Sequence, residues 1–307
     1  MTSAIPHETA RLSKQRGRPF RRVPWLFALP ALALYAFITL IPTLRGAGYS
    51  FTSWNGISPT FDWVGFQNFI RAFQDEAAWG SIWNTVLLAI GTCILQQTLG
   101  LAFAIALNSR VKSRNLLRAI FFAPFIITTI MIAYIWQFLY NPLAGINGVF
   151  DALGLSALTQ NWLGDPDTAL ASIGVVVIWQ YLGGAMVIYL ARLQSIPAEI
   201  FEAAEMDGAS WWRTQVSVVI PLLRPAFVIN ITLSIIGGLK IFDQIWVMTG
   251  GGPGHATETL ATVVFESAFV FGEFSYGAAL ALLMTVLVGV LGGILYYLLR
   301  RGDEVQS

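Results

Sequence analysis

Polar side chains lie inside the apolar segments of this chain, at positions where a membrane would surround them. Such groups are costly there and usually face protein or water, so they are candidates for contacting a solute. Amides and carboxylates hydrogen-bond hydroxyl groups, and aromatic faces pack on the C–H faces of a sugar ring, so the set suits a carbohydrate. The alternative is hydrogen bonding between helices, at about 0.6 kcal/mol per pair. The candidates are Gln96, Gln97, Trp136, Gln137, Trp179, Gln180, Tyr181, Asn230, Lys240, Asp243 and Gln244.

Lys240 and Asp243 are the two charged members of this set, and we expect them on one helix, three residues apart. Opposite charges at that spacing can neutralise one another, or both can line a solute path. A further alternative makes the pair the ion-coupled switch of a self-sufficient secondary transporter or channel. The sequence leaves these alternatives open.

Catalytic chemistry finds no support in the sequence. The two histidines, His7 and His255, lack neighbours at metal or triad spacing, and Cys93 is the single cysteine. No GxxxxGK[ST] pattern is present, and the glycine-rich run at 250–254 has no lysine to contact a phosphate. We therefore predict a chain that is not an enzyme, binds no ATP, metal or other cofactor, and has no nucleic-acid partner.

The polar candidates must be positioned by apolar helices. With 56% hydrophobic and 11% charged residues, the 307-residue chain has too little polar surface for a soluble globule. About 20 apolar residues are needed to cross a hydrocarbon core, and six segments satisfy that requirement. The sequence therefore predicts an all-α integral membrane protein embedded in a lipid bilayer. The predicted spans are 24–44, 82–107, 119–140, 169–191, 225–248 and 276–299.

Basic residues are distributed unevenly between the loops on the two sides of these spans. All of the 18 lysines and arginines except Arg45, Arg71 and Lys240 fall on one side. Because basic residues near span ends favour the cytoplasm, both termini are predicted to be cytoplasmic. The expected organisation is a disordered basic tail at 1–22, a six-helix domain at 23–300 and a second tail at 301–307.

The longest cytoplasmic loop, 195–224, has the pattern of two short helices. Pro197 is expected at the first position of the first helix, Gly208 at its end, and a second helix runs from Ser210 to Ile220, up to Pro221. One face of the first helix is acidic, with Glu199, Glu202 and Glu205. The other offers a small apolar patch of Ile200, Ala203 and Ala204.

This loop resembles the EAA loop of binding-protein-dependent ABC importer permeases, in which Glu-Ala-Ala, a glycine and a Leu-Pro pair recur at fixed spacing. Val218 and Ile220 replace the family's Ile and Leu conservatively, and Gln215 departs from the phenylalanine common in sugar permeases. The sequences VGFQNF at 64–69 and TGGGP at 249–253 also resemble carbohydrate permeases of the maltose and glycerol-phosphate type. The matching loop positions are Glu202, Ala203, Ala204, Gly208 and Pro221, with Asp207 a weaker candidate.

The resemblance implies a type I ABC importer transmembrane domain in a bacterial plasma (inner) membrane, with multiple spans. It also implies partners: a dimer of ATPase subunits that holds ATP and Mg, a second permease in a heterodimer, and an extracytoplasmic solute-binding protein. The solute implied is a sugar or a sugar-like compound. In this family the EAA loop is the coupling helix that contacts the ATPase, so Glu202 is expected to make polar contacts and Gly208 to form the turn.

Overall fold

The computed structural model describes residues 27–109 and 112–300. The predicted tails at 1–22 and 301–307 lie outside these residues. The chain divides into two compact units, Met1–Arg45 and Gly46–Ser307. In the described part of the first unit the chain is helical from Leu29 onward, and its large apolar side chains are exposed, as expected of a helix that faces lipid.

The described residues are helical, with loops between the helices and one isolated bridge between Thr52 and Trp63. In chain order the helices are α1 (Leu29–Tyr49), α2 (Gln67–Gln74), α3 (Glu76–Leu107), α4 (Arg114–Ile126), α5 (Thr129–Leu139), α6 (Gly145–Ala152), α7 (Pro166–Gln194), α8 (Ala198–Met206), α9 (Trp211–Leu222), α10 (Arg224–Leu239), α11 (Asp243–Met248), α12 (Leu260–Val270) and α13 (Phe274–Arg300).

Four of these helices, α1, α3, α7 and α13, are long and apolar enough to cross a membrane. The bent pairs α4 with α5, at 100°, and α9 with α10, at 68°, bring the total to six when each pair is one span. The prediction of an all-α membrane protein is confirmed. Two predicted spans are interrupted, however: 119–140 breaks at Ile127 and Thr128, and 225–248 breaks between Leu239 and Asp243.

The first break follows from local sequence. Pro124 lies inside α4, where its ring removes a backbone donor and crowds the preceding turn. The β-branched residues Ile126, Ile127 and Thr128 come next, and their stiff side chains weaken a helix. Ile127 and Thr128 accordingly have extended backbone, with ψ of 141° at both residues.

The bundle is built around α3 and α7, which run parallel and contact each other at small residues. A Cβ on Gly100 would lie 3.1 Å from the Ala185 Cβ. Helices α4 and α10 run antiparallel to this pair and approach it through glycines. A Cβ on Gly183 would clash with the Phe121 carbonyl oxygen, and one on Gly238 would lie 2.7 Å from the Ala89 Cα. The glycines therefore set the helix spacing in the region of the site.

Because successive long helices of the second unit run in opposite directions, their connecting loops lie at two opposite ends of the unit. One end carries the 195–224 loop, and we term it the loop end. Two arginines bond backbone there: Arg118 donates to the Leu107 carbonyl and Arg192 to the Leu222 carbonyl. The opposite end, the mouth end, carries a glycine-rich turn after Met248. There Gly250, Gly251, Gly254 and His255 have positive φ, a backbone conformation that favours glycine.

Aromatic packing and ion pairs hold the mouth end together. Between Tyr49 and Phe66 the chain is irregular. Aromatic rings stabilise this segment instead, with Trp54 packed 5.0 Å from Phe274 between centroids. Tyr276 on α13 donates a 2.7 Å hydrogen bond to Asp75, which also caps α3.

Candidate functional site: a membrane cavity and a cytoplasmic loop

A cavity of about 580 Å³ lies among α3, α4, α7 and α10, at the level of the two helix breaks. This volume is in the range of pockets that bind small organic ligands. Its wall combines aromatic rings and aliphatic side chains with a small number of polar groups. The polar residues and phenylalanines of the wall are Thr92, Gln96, Phe122, Phe125, Thr129, Tyr181, Asn230, Ser234, Lys240, Phe242, Asp243 and Gln244.

Some of the predicted path residues line this cavity and others do not. Those in the wall are Gln96, Tyr181, Asn230, Lys240, Asp243 and Gln244. Of the remaining candidates, Gln97 and Gln180 are buried between helices, Trp136 is half-buried, and Gln137 and Trp179 are exposed. Trp136 and Trp179 contact each other edge to face at 5.5 Å between ring centroids. Their part in transport stays a prediction.

The structure corrects the prediction for Lys240 and Asp243. The two residues are not on one helix, because α10 ends at Leu239 and Asp243 begins α11. In the part of the chain that the structure describes, no ion pair joins them. Mutual neutralisation is therefore wrong for this conformation, and both side chains contribute to the cavity wall.

Gln180 links the two helix breaks. Its side chain is 1% exposed, and its Nε2 donates to the Ile127 carbonyl at 3.3 Å and to Thr129 Oγ1 at 3.4 Å. Its Oε1 accepts a 3.1 Å hydrogen bond from Nε2 of Gln244, just after the second break. One buried amide thus satisfies a carbonyl that the broken helix leaves without a helical partner. Gln180 therefore positions cavity residues from α5 and α11.

A second polar network lies closer to the loop end. Gln97 Nε2 donates to Ser234 Oγ at 2.8 Å, and Ser234 in turn donates to Gln96 Oε1 at 3.0 Å. The Tyr189 hydroxyl donates a 2.7 Å hydrogen bond to Gln97 Oε1. Asn230 donates to the Ala185 carbonyl at 3.2 Å. Interhelical bonding, the alternative weighed for the glutamines, is therefore present here.

Several wall residues could not be predicted from the sequence. Thr92 and Ser234 are small hydroxyl residues of a kind common in membrane helices, where they usually bond the preceding turn, as Thr92 does to the Leu88 carbonyl. Phe122, Phe125 and Phe242 are three among 21 phenylalanines. Only the helix packing brings them to one cavity.

At the loop end, α8 terminates as its sequence predicts. Gly208 has φ of 71°, and its N–H donates to the Glu205 carbonyl, while the Ala209 N–H donates to the Ala204 carbonyl. These two bonds define a Schellman C-cap, which favours glycine at the left-handed position. Pro197 is the N-cap of α8 rather than its first residue, so that expectation is wrong by one position.

The two faces of α8 differ as predicted, with one exception. Phe201 packs against the buried cluster at the loop end and Ala204 is buried, but Ala203, expected in the apolar patch, is exposed. Asp207 is also exposed. The acidic ridge faces solvent and consists of Glu199, Glu202 and Glu205.

Helix α9 follows after Ser210, whose hydroxyl accepts from the Arg213 N–H. A π-helical turn at Gln215–Val219 leads into Ile220–Leu222, so the helix continues through Pro221, where it was predicted to end. Beside the acidic ridge three large apolar side chains are exposed, namely Met206, Trp211 and Trp212. The loop therefore presents both acidic and apolar surface.

Comparison with known proteins assigns this architecture. The family model described as binding-protein-dependent transport system inner membrane component matches residues 97–302, which include the loop and the cavity helices α4, α7 and α10. The chain belongs to this family. It is therefore a multi-pass inner membrane permease subunit of an ABC importer, as predicted, and not an enzyme. The family assignment supports the importer and not the ion-coupled alternative.

Curated relatives cover almost the whole chain. It is 33% identical to the probable starch degradation products transport system permease of Thermoanaerobacterium thermosulfurigenes, over 91% of this chain and 94% of that one. It is 33% identical to the multiple sugar-binding transport system permease of Streptococcus mutans (92% and 96% covered). Identity is 34% to the trehalose/maltose transport system permease of Thermococcus litoralis (87% and 90%).

Solved structures share the fold. A bacterial ABC transporter involved in the import of the acidic polysaccharide alginate contains a chain that matches with a TM-score of 0.80, covering 90% of this chain and 94% of that one. The sequence identity is 20%, so this similarity concerns the fold. The type I importer transmembrane fold, predicted from the sequence, is confirmed.

Proposed function

We propose that this permease subunit forms one half of the path by which an ATP-driven importer takes up a carbohydrate. The observation that carries the proposal is the cavity, with its aromatic and amide side chains, in a chain whose relatives are named for starch degradation products, multiple sugars and trehalose/maltose. Ring faces of Tyr181 and the phenylalanines can pack on sugar C–H groups, and Gln96, Gln244 and Asp243 can bond hydroxyls.

The other half of the path would come from a second, different permease subunit, and a solute-binding protein would deliver the sugar to the mouth end. One solved relative is described in complex with an alginate pentasaccharide-bound periplasmic protein, which supports such delivery. Import then alternates between two states of the pair, each open to one side. With the loop end in the cytoplasm, the loop 195–224 faces the compartment that holds ATP.

The coupling contact in this proposal is made by α8 and its turn. The exposed ridge at Glu202 offers charge to a separate ATPase subunit, while Phe201 packs the helix against the bundle. Gly208 sets the turn that leads to α9, and Pro221 lies in the last turn of α9. ATP and Mg would be held by the ATPase, so this chain supplies the mechanical link and no nucleotide ligand.

The coupling contact can be tested by charge reversal. We expect Glu202→Lys to reduce recovery of the ATPase with the tagged permease by at least tenfold, because it reverses charge on the exposed ridge. Asp151→Lys is the matched control, since Asp151 is an exposed acid of α6 at the mouth end. Equal ATPase recovery with both variants, at equal permease levels in the membrane, would rule out Glu202 as a coupling residue.

A further inference from the structure

The described residues that line the cavity carry one positive and one negative charge, and their net charge is zero. Among the described residues that line the cavity, Lys240 is the one cation and Asp243 the one anion. Both lie at the break between α10 and α11. Lys240 is the C-cap of α10, and Asp243 is the first residue of α11. No described residue forms an ion pair or a side-chain hydrogen bond with either of them.

Lys240 is exposed and Asp243 is half-buried, and both line the cavity, so whatever fills the cavity must solvate their charges. Ionisable side chains inside a membrane are costly, and they are retained mainly where they face a solute or ion pathway. Water can solvate them while the cavity is open, but a solute that fills the cavity must replace that water. A hydroxyl-rich solute can do so, because each sugar hydroxyl is both a donor to the carboxylate and an acceptor from the ammonium.

We propose that Lys240 and Asp243 form a charge-balanced specificity site that selects an uncharged carbohydrate over uronic acids and amino sugars. This inference rests on the proposed function and names its solute class. An anionic sugar is attracted by Lys240 but repelled by Asp243. A cationic sugar is attracted by Asp243 but repelled by Lys240. A neutral sugar satisfies both groups at once, and its ring packs on the phenylalanines of the wall.

The test uses amide variants, each of which removes one charge and keeps a polar side chain. Asp243→Asn gives the wall a net charge of +1, Lys240→Gln gives −1, and the double variant gives zero. The probes are maltotriose, a trigalacturonate and a glucosamine trimer, which have the same length and differ in charge. Equilibrium dialysis measures their binding to the assembled, detergent-purified transporter without its binding protein, so that delivery does not influence the result.

We expect wild type to bind maltotriose at least tenfold more tightly than either charged trimer. Asp243→Asn should shift the ratio of binding constants by about tenfold in favour of trigalacturonate over maltotriose. Lys240→Gln should shift the corresponding ratio by a similar factor in favour of the glucosamine trimer. The double variant should again prefer maltotriose to both charged trimers. Thermal unfolding of each variant verifies that the assembly is folded. Ratios that stay within twofold of wild type in both single variants would overturn the specificity site.

Two further outcomes also contradict the inference. If wild type prefers a charged trimer, charge balance does not select the solute, although the importer function stands. If folded single and double variants all lose maltotriose equally, the two residues bind the sugar independently of their balance. A wild-type assembly that binds none of the trimers, and whose ATPase activity is stimulated by none of them with the binding protein present, would instead refute the proposed carbohydrate path itself.

Discussion

Gly238 and Gly237 are adjacent glycines in the last turn of α10 with very different surroundings. A Cβ on Gly238 would lie 2.7 Å from the Ala89 Cα and 2.9 Å from its Cβ, whereas one on Gly237 would meet no atom within 4 Å. Carbon atoms prefer separations of about 3.5–4.0 Å, so Gly238→Ala requires α10 and α3 to move apart by about 1 Å. Gly237→Ala requires no such movement and is the matched control.

The expected difference follows from these distances. Overpacking of this kind costs about 1–3 kcal/mol. Alanine is the better helix former by up to about 1 kcal/mol, but that gain applies to both variants and cancels in the comparison. At about 2–4 °C per kcal/mol for a chain of this class, Gly238→Ala should unfold roughly 2–12 °C below Gly237→Ala.

The assay is thermal unfolding of the purified permease in one detergent, followed by far-UV circular dichroism at a single scan rate. Transport is not the readout, because both glycines line the cavity and either methyl group could obstruct a solute. Equal unfolding temperatures for the two variants would show that α10 and α3 are not packed through Gly238. The helix arrangement that forms the cavity would then be incorrect.

Three further perturbations test other parts of the structure. Gln180→Leu removes three hydrogen bonds of the Gln180 side chain. At about 0.6 kcal/mol each, their loss should lower the free energy of unfolding by about 2 kcal/mol. An unchanged denaturation midpoint would refute the link between the two helix breaks. Tyr276→Phe removes the hydrogen bond to Asp75 and should cost about 1 kcal/mol, measured in the same way. The hydrogen bond to Glu258 raises the pKa of His255, so the pair stabilises the fold fully below the ordinary histidine pKa of about 6.5 and is lost as pH rises through the higher folded value. His255→Gln should abolish this part of the pH dependence of the unfolding temperature, and an identical pH profile in both proteins would contradict it.

Features set by local chemistry were predictable from the sequence. Gly208 ends α8 because a left-handed C-cap favours glycine, and the glycines after Met248 form a turn for the same reason. The long apolar runs predicted the spans, because length and composition alone decide whether a helix can cross a membrane. The polar segment between the fourth and fifth spans likewise predicted the exposed acidic ridge on α8.

Features set by neighbouring helices were not predictable. The break after Leu239 interrupts a run that is apolar enough to predict one helix, and the sequence therefore predicts Lys240 and Asp243 on that helix. Gln180 was expected in the path, but its position behind the wall depends on where Ile127 and Gln244 lie. Two helices at the mouth end, α6 and α12, were missed, since each is short and lies between spans.

The central claim is that this chain imports a carbohydrate only as part of an ATP-driven assembly. The most direct measurement is uptake of labelled sugar into proteoliposomes that contain this chain, the second permease and the ATPase, with the binding protein outside and ATP inside. We predict uptake that requires all four proteins and ATP, and sugar-dependent ATP hydrolysis in parallel. Uptake by this chain alone without ATP would contradict the account.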